Sequence, residues 1–191
     1  VSKIGIFGGT FDPIHLGHLI TTQIVYEKRK LDKIIFIPAF ISPHKIHKFA
    51  SSPVHRLNML KYAIEDFDHF DISNIELNKQ EISYTINTIA ELKKIYDNIE
   101  LIIGFDNLVV FDKWYKSDEI IKMVELIVMK RSFDKEVKNI HKYFGEAVFV
   151  DTPNIEISST EIRDRVNKGL SIDFMVPAKV KDYIEKNNLY K

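Results

Sequence analysis

Short apolar runs alternate with helix-period segments along almost the whole chain, and that alternation restricts the fold more than any other feature of the sequence. "KIGIF" (3–7) reads as a strand entering a glycine turn, after which Leu16, Leu19, Ile20 and Ile24 recur at helical spacing. "KIIFIPAF" (33–40) repeats the strand pattern, and beyond a loop rich in Pro and Ser, Val54, Leu57, Leu60, Ile64 and Phe67 fall on one helical face. "FDISN" (70–74) is a short strand and "YTINTIAELKKIY" (84–96) a helix, while "IELIIGF" (99–105) is a strand apolar enough for burial on both faces. "SDEIIKMV" (117–124) is a short helix opened by Ser117, and "ELIVMKR" (125–131) and "AVFVD" (147–151) are two more strands. "ISSTEIRDRVNKG" (157–169) and "PAKVKDYIEKNN" (177–188) close the chain as capped helices. Strands alternating with helices predict an α/β fold, a Rossmann-like, doubly wound and mostly parallel sheet with helices on both faces. At 191 residues, with no repeat or linker, one domain spanning 1–191 is expected.

Composition excludes several functional classes. Lys plus Arg equals Asp plus Glu at 27 each, so no global positive field recruits nucleic acid or an anionic membrane. The sequence has no apolar run near the ~20 residues that span a bilayer, and "VSKIGIFGG" leads into a turn rather than a cleavage site, so no signal peptide is read. The absence of cysteine removes disulfides and thiolate metal sites and fits a cytoplasmic protein.

In a sheet of this kind ligands bind outside the carboxyl ends of the strands, and the loop after the first strand borders that crevice. Gly8, Gly9 and Thr10 occupy it, followed by a helix start whose free N–H groups suit phosphate, although two glycines alone are better read as a plain tight turn. Neither G-x-G-x-x-G nor G-x-x-x-x-G-K-[ST] is present, which argues against hydride transfer and against a P-loop. His15 and His18, at i and i+3 across a helix start with Gly17 between them, put two imidazoles on one side. Zinc would need further ligands, and histidines 44, 47, 55, 69 and 141 offer no convincing complement, so hydrogen bonding to phosphate fits the pair better and no protein metal site is assigned. In "ISSTEIR" (157–163), Ser158 caps a helix with Glu161 three residues on, and Ser159, Thr160 and Arg163 complete a second anion site suited to the far end of a polyphosphate.

"GGTFDPIHLGH" together with "ISSTEIR" resembles the H-x-G-H nucleotidylyltransferase superfamily, whose members transfer a nucleotidyl group and release pyrophosphate. Within it, "IPAFISPHK" (37–45), "SYTINTI" (83–89) and "GFDNLVVFDKWY" (104–115) are similar, in order, to bacterial nicotinate-mononucleotide adenylyltransferases. The resemblance implies an enzyme of NAD biosynthesis that joins ATP and nicotinate mononucleotide into deamido-NAD, with Mg²⁺ carried on ATP. It implies that His15, His18 and Arg163 are catalytic, and that Gly8, Gly9, Thr10, Phe11, Gly104, Asp106, Ile157, Ser158, Ser159 and Thr160 join them around ATP. Thr10, His44, Lys45, Ser83, Tyr84, Thr85, Trp114 and Tyr115 would hold the mononucleotide. Asp106 reads either as a ribose contact or as a helix N-cap, and Trp114 either as a core anchor or as the residue stacked on pyridine. Pantetheine-phosphate adenylyltransferase shares both end motifs but lacks the "SYT" and "DKWY" pair; cytidylyltransferases end in a "GISTT"-like segment that "ISSTEIR" does not match. A non-catalytic nucleotide sensor on the same fold would be expected to lose a histidine or the arginine, and all are present. No nucleic-acid or membrane partner is expected, and association into a homo-oligomer stays open.

Overall fold

The computed structural model describes residues 2–43, 50–131 and 141–191. Its centre is a six-stranded sheet in the order β3-β2-β1-β4-β5-β6, formed by β1 (Lys3–Gly9), β2 (Lys33–Pro38), β3 (Phe70–Ile72), β4 (Asn98–Gly104), β5 (Glu125–Arg131) and β6 (Val148–Thr152). Every pairing is parallel, with Ile6 opposite both Ile35 and Leu101, so the sheet is wholly rather than mostly parallel. Chain order reverses between β1 and β4, and the crevice at their carboxyl ends is where such a sheet binds ligands. The glycines are not a separate turn: β1 runs through Gly8 and Gly9 before the loop begins.

Both faces of the sheet are covered, as the near-continuous apolar strands require. On one side Phe7, Ile34, Phe36, Ile102 and Ile127 pack with α1 (Leu16–Arg29), α2 (Pro53–Ile64), α8 (Ser159–Asn167) and α9 (Ala178–Lys186). On the other, Ile4, Ile6, Ile35, Leu101 and Val128 meet α4 (Thr85–Leu92), α6 (Ser117–Met123) and α7 (Tyr143–Glu146). Short helices α3 (Ile75–Lys79) and α5 (Phe105–Val109) sit at the carboxyl rim. Each fully buried Ile or Phe in these layers contributes ~1.5–3 kcal/mol of transfer free energy. No helix among the described residues is long and apolar enough to cross a membrane.

Three local expectations change. In α1 the buried face is Leu19, Thr22 and Val25, with Ile20 exposed, because Thr22 satisfies its hydroxyl on the His18 carbonyl at 2.7 Å and can go inside. In α2 the buried set is Arg56, Met59, Leu60, Ala63 and Ile64, while Val54 is exposed and Phe67 lies beyond the helix, also exposed. Ser117 is the first helical residue of α6 rather than its cap; Lys116, at φ 58°, holds the cap position, and the Ser117 hydroxyl pairs with that of Tyr143 at 2.8 Å.

Strand β4 also buries a carboxylate. The Glu100 side chain has no exposed surface, and it accepts two hydrogen bonds from Arg29 at 2.9 and 2.7 Å and an ion pair from Lys3 at 2.7 Å. Burial pushes its carboxyl up, but these cationic partners outweigh burial and hold it below the usual carboxylate range. The cluster ties β1, α1 and β4 together at the end of the sheet away from the crevice, leaving the opposite rim for chemistry.

Candidate active site

Two cavities open at the switch point and share a wall. The larger, about 800 Å³, lies between β1, α1, α5 and α8; the smaller, about 490 Å³, lies between β1, α3, α4 and the segment at 113–115. Gly8, Gly9, Thr10, Ser42 and Asn107 line both. A ligand in each therefore meets the other along the glycine segment.

The glycine segment is shaped by what surrounds it. A Cβ on Gly9 would lie 2.8 Å from the Phe11 ring, whereas a Cβ on Gly8 would project into open cavity. Phe11 itself is in the left-handed region, φ 49°, and its ring is buried against Phe7 and Phe36, so it serves as the floor of the larger cavity. Under the loop, Arg56 is completely buried and donates to the carbonyls of Thr10 at 2.8 Å, Ser51 at 3.1 Å and Phe40 at 3.4 Å. Burial pushes its guanidinium below the ordinary value, a cost that the nearby Asp12 carboxylate offsets in part.

The two histidines stack at the mouth of α1, ring centroids 3.6 Å apart and 26° from parallel. Gly17 makes this possible, because a Cβ there would sit 3.0 Å from Nδ1 of His15. His15 is buried, its Nδ1 has no hydrogen-bond partner among the described residues, and burial pushes its imidazole down to about 4 from 6.5. A neutral imidazole is therefore held ready to hydrogen-bond rather than to carry charge. The titration carries a stability consequence. Between pH 6.5 and 4 an unfolded chain binds a proton at this position and the folded protein does not, so stability is complete above pH 6.5 and falls as pH drops through that window. His15→Asn is expected to remove one proton's worth of this slope, about 1.4 kcal/mol per pH unit, in urea melts at pH 6.5 to 4.5; an unchanged slope would contradict a buried neutral His15.

Helix α8 joins the site from the far end of the chain. The Ser158 hydroxyl accepts from the Glu161 N–H at 3.1 Å as its N-cap. Ser159 donates to the Pro13 carbonyl at 2.9 Å, and Arg163 donates to the Asp12 carbonyl at 2.7 Å and to Thr160 Oγ1 at 3.2 Å. Ser159 thus spends its proton on the protein, and Arg163 is oriented by two bonds while keeping further N–H groups. Ile157, Ser158, Ser159, Thr160 and Arg163 line the larger cavity with His15 and His18, as do Gly104 and Asp106 opposite them. Asp106 is not an N-cap: Gly104 caps α5, and Asp106 stands exposed in its first turn.

In the smaller cavity Thr10, Ser83, Tyr84, Thr85, Trp114 and Tyr115 come together. Trp114 follows a 3₁₀ turn (Phe111–Lys113), is half-buried against Phe111 at 5.0 Å, and lines the cavity, so it belongs to both core and site. The Tyr84 and Tyr115 rings stand 4.9 Å apart beside it. Ser83 accepts from the Phe40 N–H at 2.9 Å and its own N–H reaches the Ile41 carbonyl at 2.9 Å, stitching the loops after β2 and before α4. His44 and Lys45 lie outside the described residues.

Sequence reasoning missed Arg56, Asn107, Lys113 and Glu76. Glu76 is the consequential one, because it places a carboxylate in the smaller cavity, accepting from Thr88 Oγ1 at 2.6 Å, with burial pushing its carboxyl upward. No local signal marked it: "NIELNK" reads as a solvated polar stretch.

The cytidylyltransferase-like family model matches residues 6–165. Among curated relatives, a probable nicotinate-nucleotide adenylyltransferase of Caldicellulosiruptor bescii is 42% identical over 195 residues, covering 99% of each chain. One from Hydrogenobaculum sp. is 45% identical over 188 residues, covering 98% of this chain and 97% of its own. Among solved structures, the fold matches a Plasmodium falciparum nicotinic acid mononucleotide adenylyltransferase complexed with NaAD at TM-score 0.83 and 22% identity, covering 100% of this chain and 98% of that one.

Proposed function

Because this chain belongs to the cytidylyltransferase-like family, with full-length relatives at about 40% identity, we infer that it is a nicotinate-nucleotide adenylyltransferase, joining ATP to nicotinate mononucleotide to give deamido-NAD and pyrophosphate. The observation that carries this reading is the pair of cavities meeting at Gly8, Gly9 and Thr10. ATP occupies the larger and the mononucleotide the smaller, which brings both reacting phosphates to the shared wall.

The mononucleotide phosphate has a second pKa of about 6 and is mostly dianionic at pH 7, so its oxygen attacks the α-phosphorus of ATP without a general base. One P–O bond forms as the bond to the β-phosphate oxygen breaks, and pyrophosphate leaves. What the protein supplies is alignment of two anions and hydrogen bonds to the charge that accumulates between them. His15 and His18 donate to the ATP phosphates, Gly8 lets backbone approach, and the start of α8 with Arg163 takes the β and γ end. Mg²⁺ enters on ATP as part of that substrate. Asp106 reaches the ribose, and Trp114 stacks on the pyridine. We place the protein in the cytoplasm, the reducing compartment that a chain without cysteine fits.

Pyrophosphate release from ATP with nicotinate mononucleotide, and none with phosphopantetheine, is the direct test. Arg163→Ala is expected to weaken ATP by about 10- to 100-fold, as for loss of charge-assisted hydrogen bonds, and AMP by much less. Its bond to the Asp12 carbonyl affects both nucleotides, so the difference between them in calorimetric titration is the reading. Equal losses would move the arginine away from the polyphosphate.

A further inference from the structure

The loop from Thr10 to His15 carries the glycine segment into the histidine pair, and Asp12 within it, at the wall of the larger cavity, is the centre of a buried hydrogen-bond hub. Asp12 is 4% exposed. Its Oδ1 accepts from the Tyr190 hydroxyl at 2.7 Å and its Oδ2 from the Ser51 N–H at 3.0 Å, while its carbonyl accepts from Arg163 at 2.7 Å. Tyr190 lies 178 positions from Asp12, and its ring packs on the apolar layer beside Met59. One residue of the loop is therefore fixed from three directions, by Tyr190, by the segment before α2 and by α8.

We propose that Tyr190 is a positioning residue of the transfer reaction, holding through Asp12 the backbone that sets the glycine segment against His15 and His18. This rests on the assignment of that loop as the transfer site. The reasoning is one of precision: an in-line displacement tolerates little misplacement, with about 1 Å costing on the order of 100-fold in rate. The bond to Tyr190 is a neutral hydroxyl meeting a buried carboxylate, short and directional. Burial and the Asp12 charge both push the tyrosine hydroxyl further from ionising, which keeps it a donor at every working pH. A plain apolar anchor would need only the ring. The hydroxyl aimed at the catalytic loop is what the anchor does not explain.

Tyr190→Phe keeps the ring and its apolar contacts and removes that donor. Expected are wild-type formation of the dinucleotide, a Tm for the variant within a few degrees of wild type, a kcat about 10-fold lower and KM values changed less than about 3-fold. Asp12→Ala, which removes the acceptor that the Tyr190 hydroxyl uses, is expected to lower kcat at least as far, and the double variant to match Asp12→Ala alone within about 2-fold, because both changes break one linkage. A Tyr190→Phe protein with normal kcat, whatever its Tm, overturns the proposal, as does a multiplicative loss in the double variant. If Tyr190→Phe fails to fold, Asp12→Ala with normal kcat overturns it equally. Absence of product from the wild type would instead remove the assignment itself, a result seen without any variant.

Discussion

His18→Ala is expected to fold normally and to lose about 100-fold or more in kcat, the size of effect produced by removing one preorganised donor from a developing anion. The His18 ring is part of a small aromatic nest, 5.4 Å from Phe11, 6.0 Å from Phe7 and 3.6 Å from His15. Its truncation therefore removes some contact area, and a Tm lower by a few degrees accompanies the kinetic loss. Because α1 begins at Leu16 and its backbone bonds do not depend on this side chain, the helix persists. A hundredfold is about 2.7 kcal/mol of transition-state stabilisation, more than the packing change supplies, so the two effects separate. The KM for ATP should change far less than kcat, since the donor is used most when charge moves onto the reacting oxygens. Near-normal turnover with a normal melting curve would show that His18 has no part in the chemistry.

The parts of this molecule legible in its sequence are those set by local spacing. The alternation of strands and helices depends on neighbours a few residues apart, and so do the i, i+3 placement of His15 and His18 and the Ser158 cap on Glu161. What the sequence hides is the partner of each buried polar group. Glu100 reads as one polar interruption in "IELIIGF", and only the fold brings Arg29, 71 positions away, onto its oxygens. Arg56 occupies what periodicity marks as an ordinary helical turn, yet its guanidinium gathers carbonyls from Thr10, Phe40 and Ser51. Periodicity reports which face goes inside; it is blind to whether a polar residue there finds its hydrogen bonds. The same blindness explains α1 and α2, where Thr22 and Arg56 took interior places that an apolar count assigned to Ile20 and Val54. It also explains Glu76, whose burial beside Thr88 comes from the docking of α3 against the start of α4.

The acid mononucleotide is expected to be preferred over the amide, and the smaller cavity supplies the physical reason. On the proposed assignment, Trp114 in the smaller cavity would present one ring face to both mononucleotides, so stacking would give affinity with little discrimination. The difference lies in one exocyclic group. A carboxylate accepts hydrogen bonds only, whereas the amide must also find a home for an NH₂ donor. Thr85 opens α4 without a side-chain cap on Tyr84, leaving first-turn N–H groups without that partner, and with Tyr115 it lines the cavity. Against such donors the amide NH₂ meets like groups, at a cost of about 1–3 kcal/mol for an unsatisfied polar group. That corresponds to roughly 5- to 150-fold in kcat/KM. Glu76 works in the opposite direction, since a carboxylate in the same cavity repels the acid and could accept from an amide. Its acceptor capacity is partly committed to Thr88, and burial raises its carboxyl toward the neutral form, which softens the repulsion. Discrimination therefore still favours the acid, and Trp114→Ala should raise KM for both mononucleotides by a similar factor, about 10-fold, while leaving their ratio nearly intact. Steady-state kinetics giving equal kcat/KM for acid and amide in the wild type would mean that Glu76 offsets the N–H donors and that the site takes both substrates.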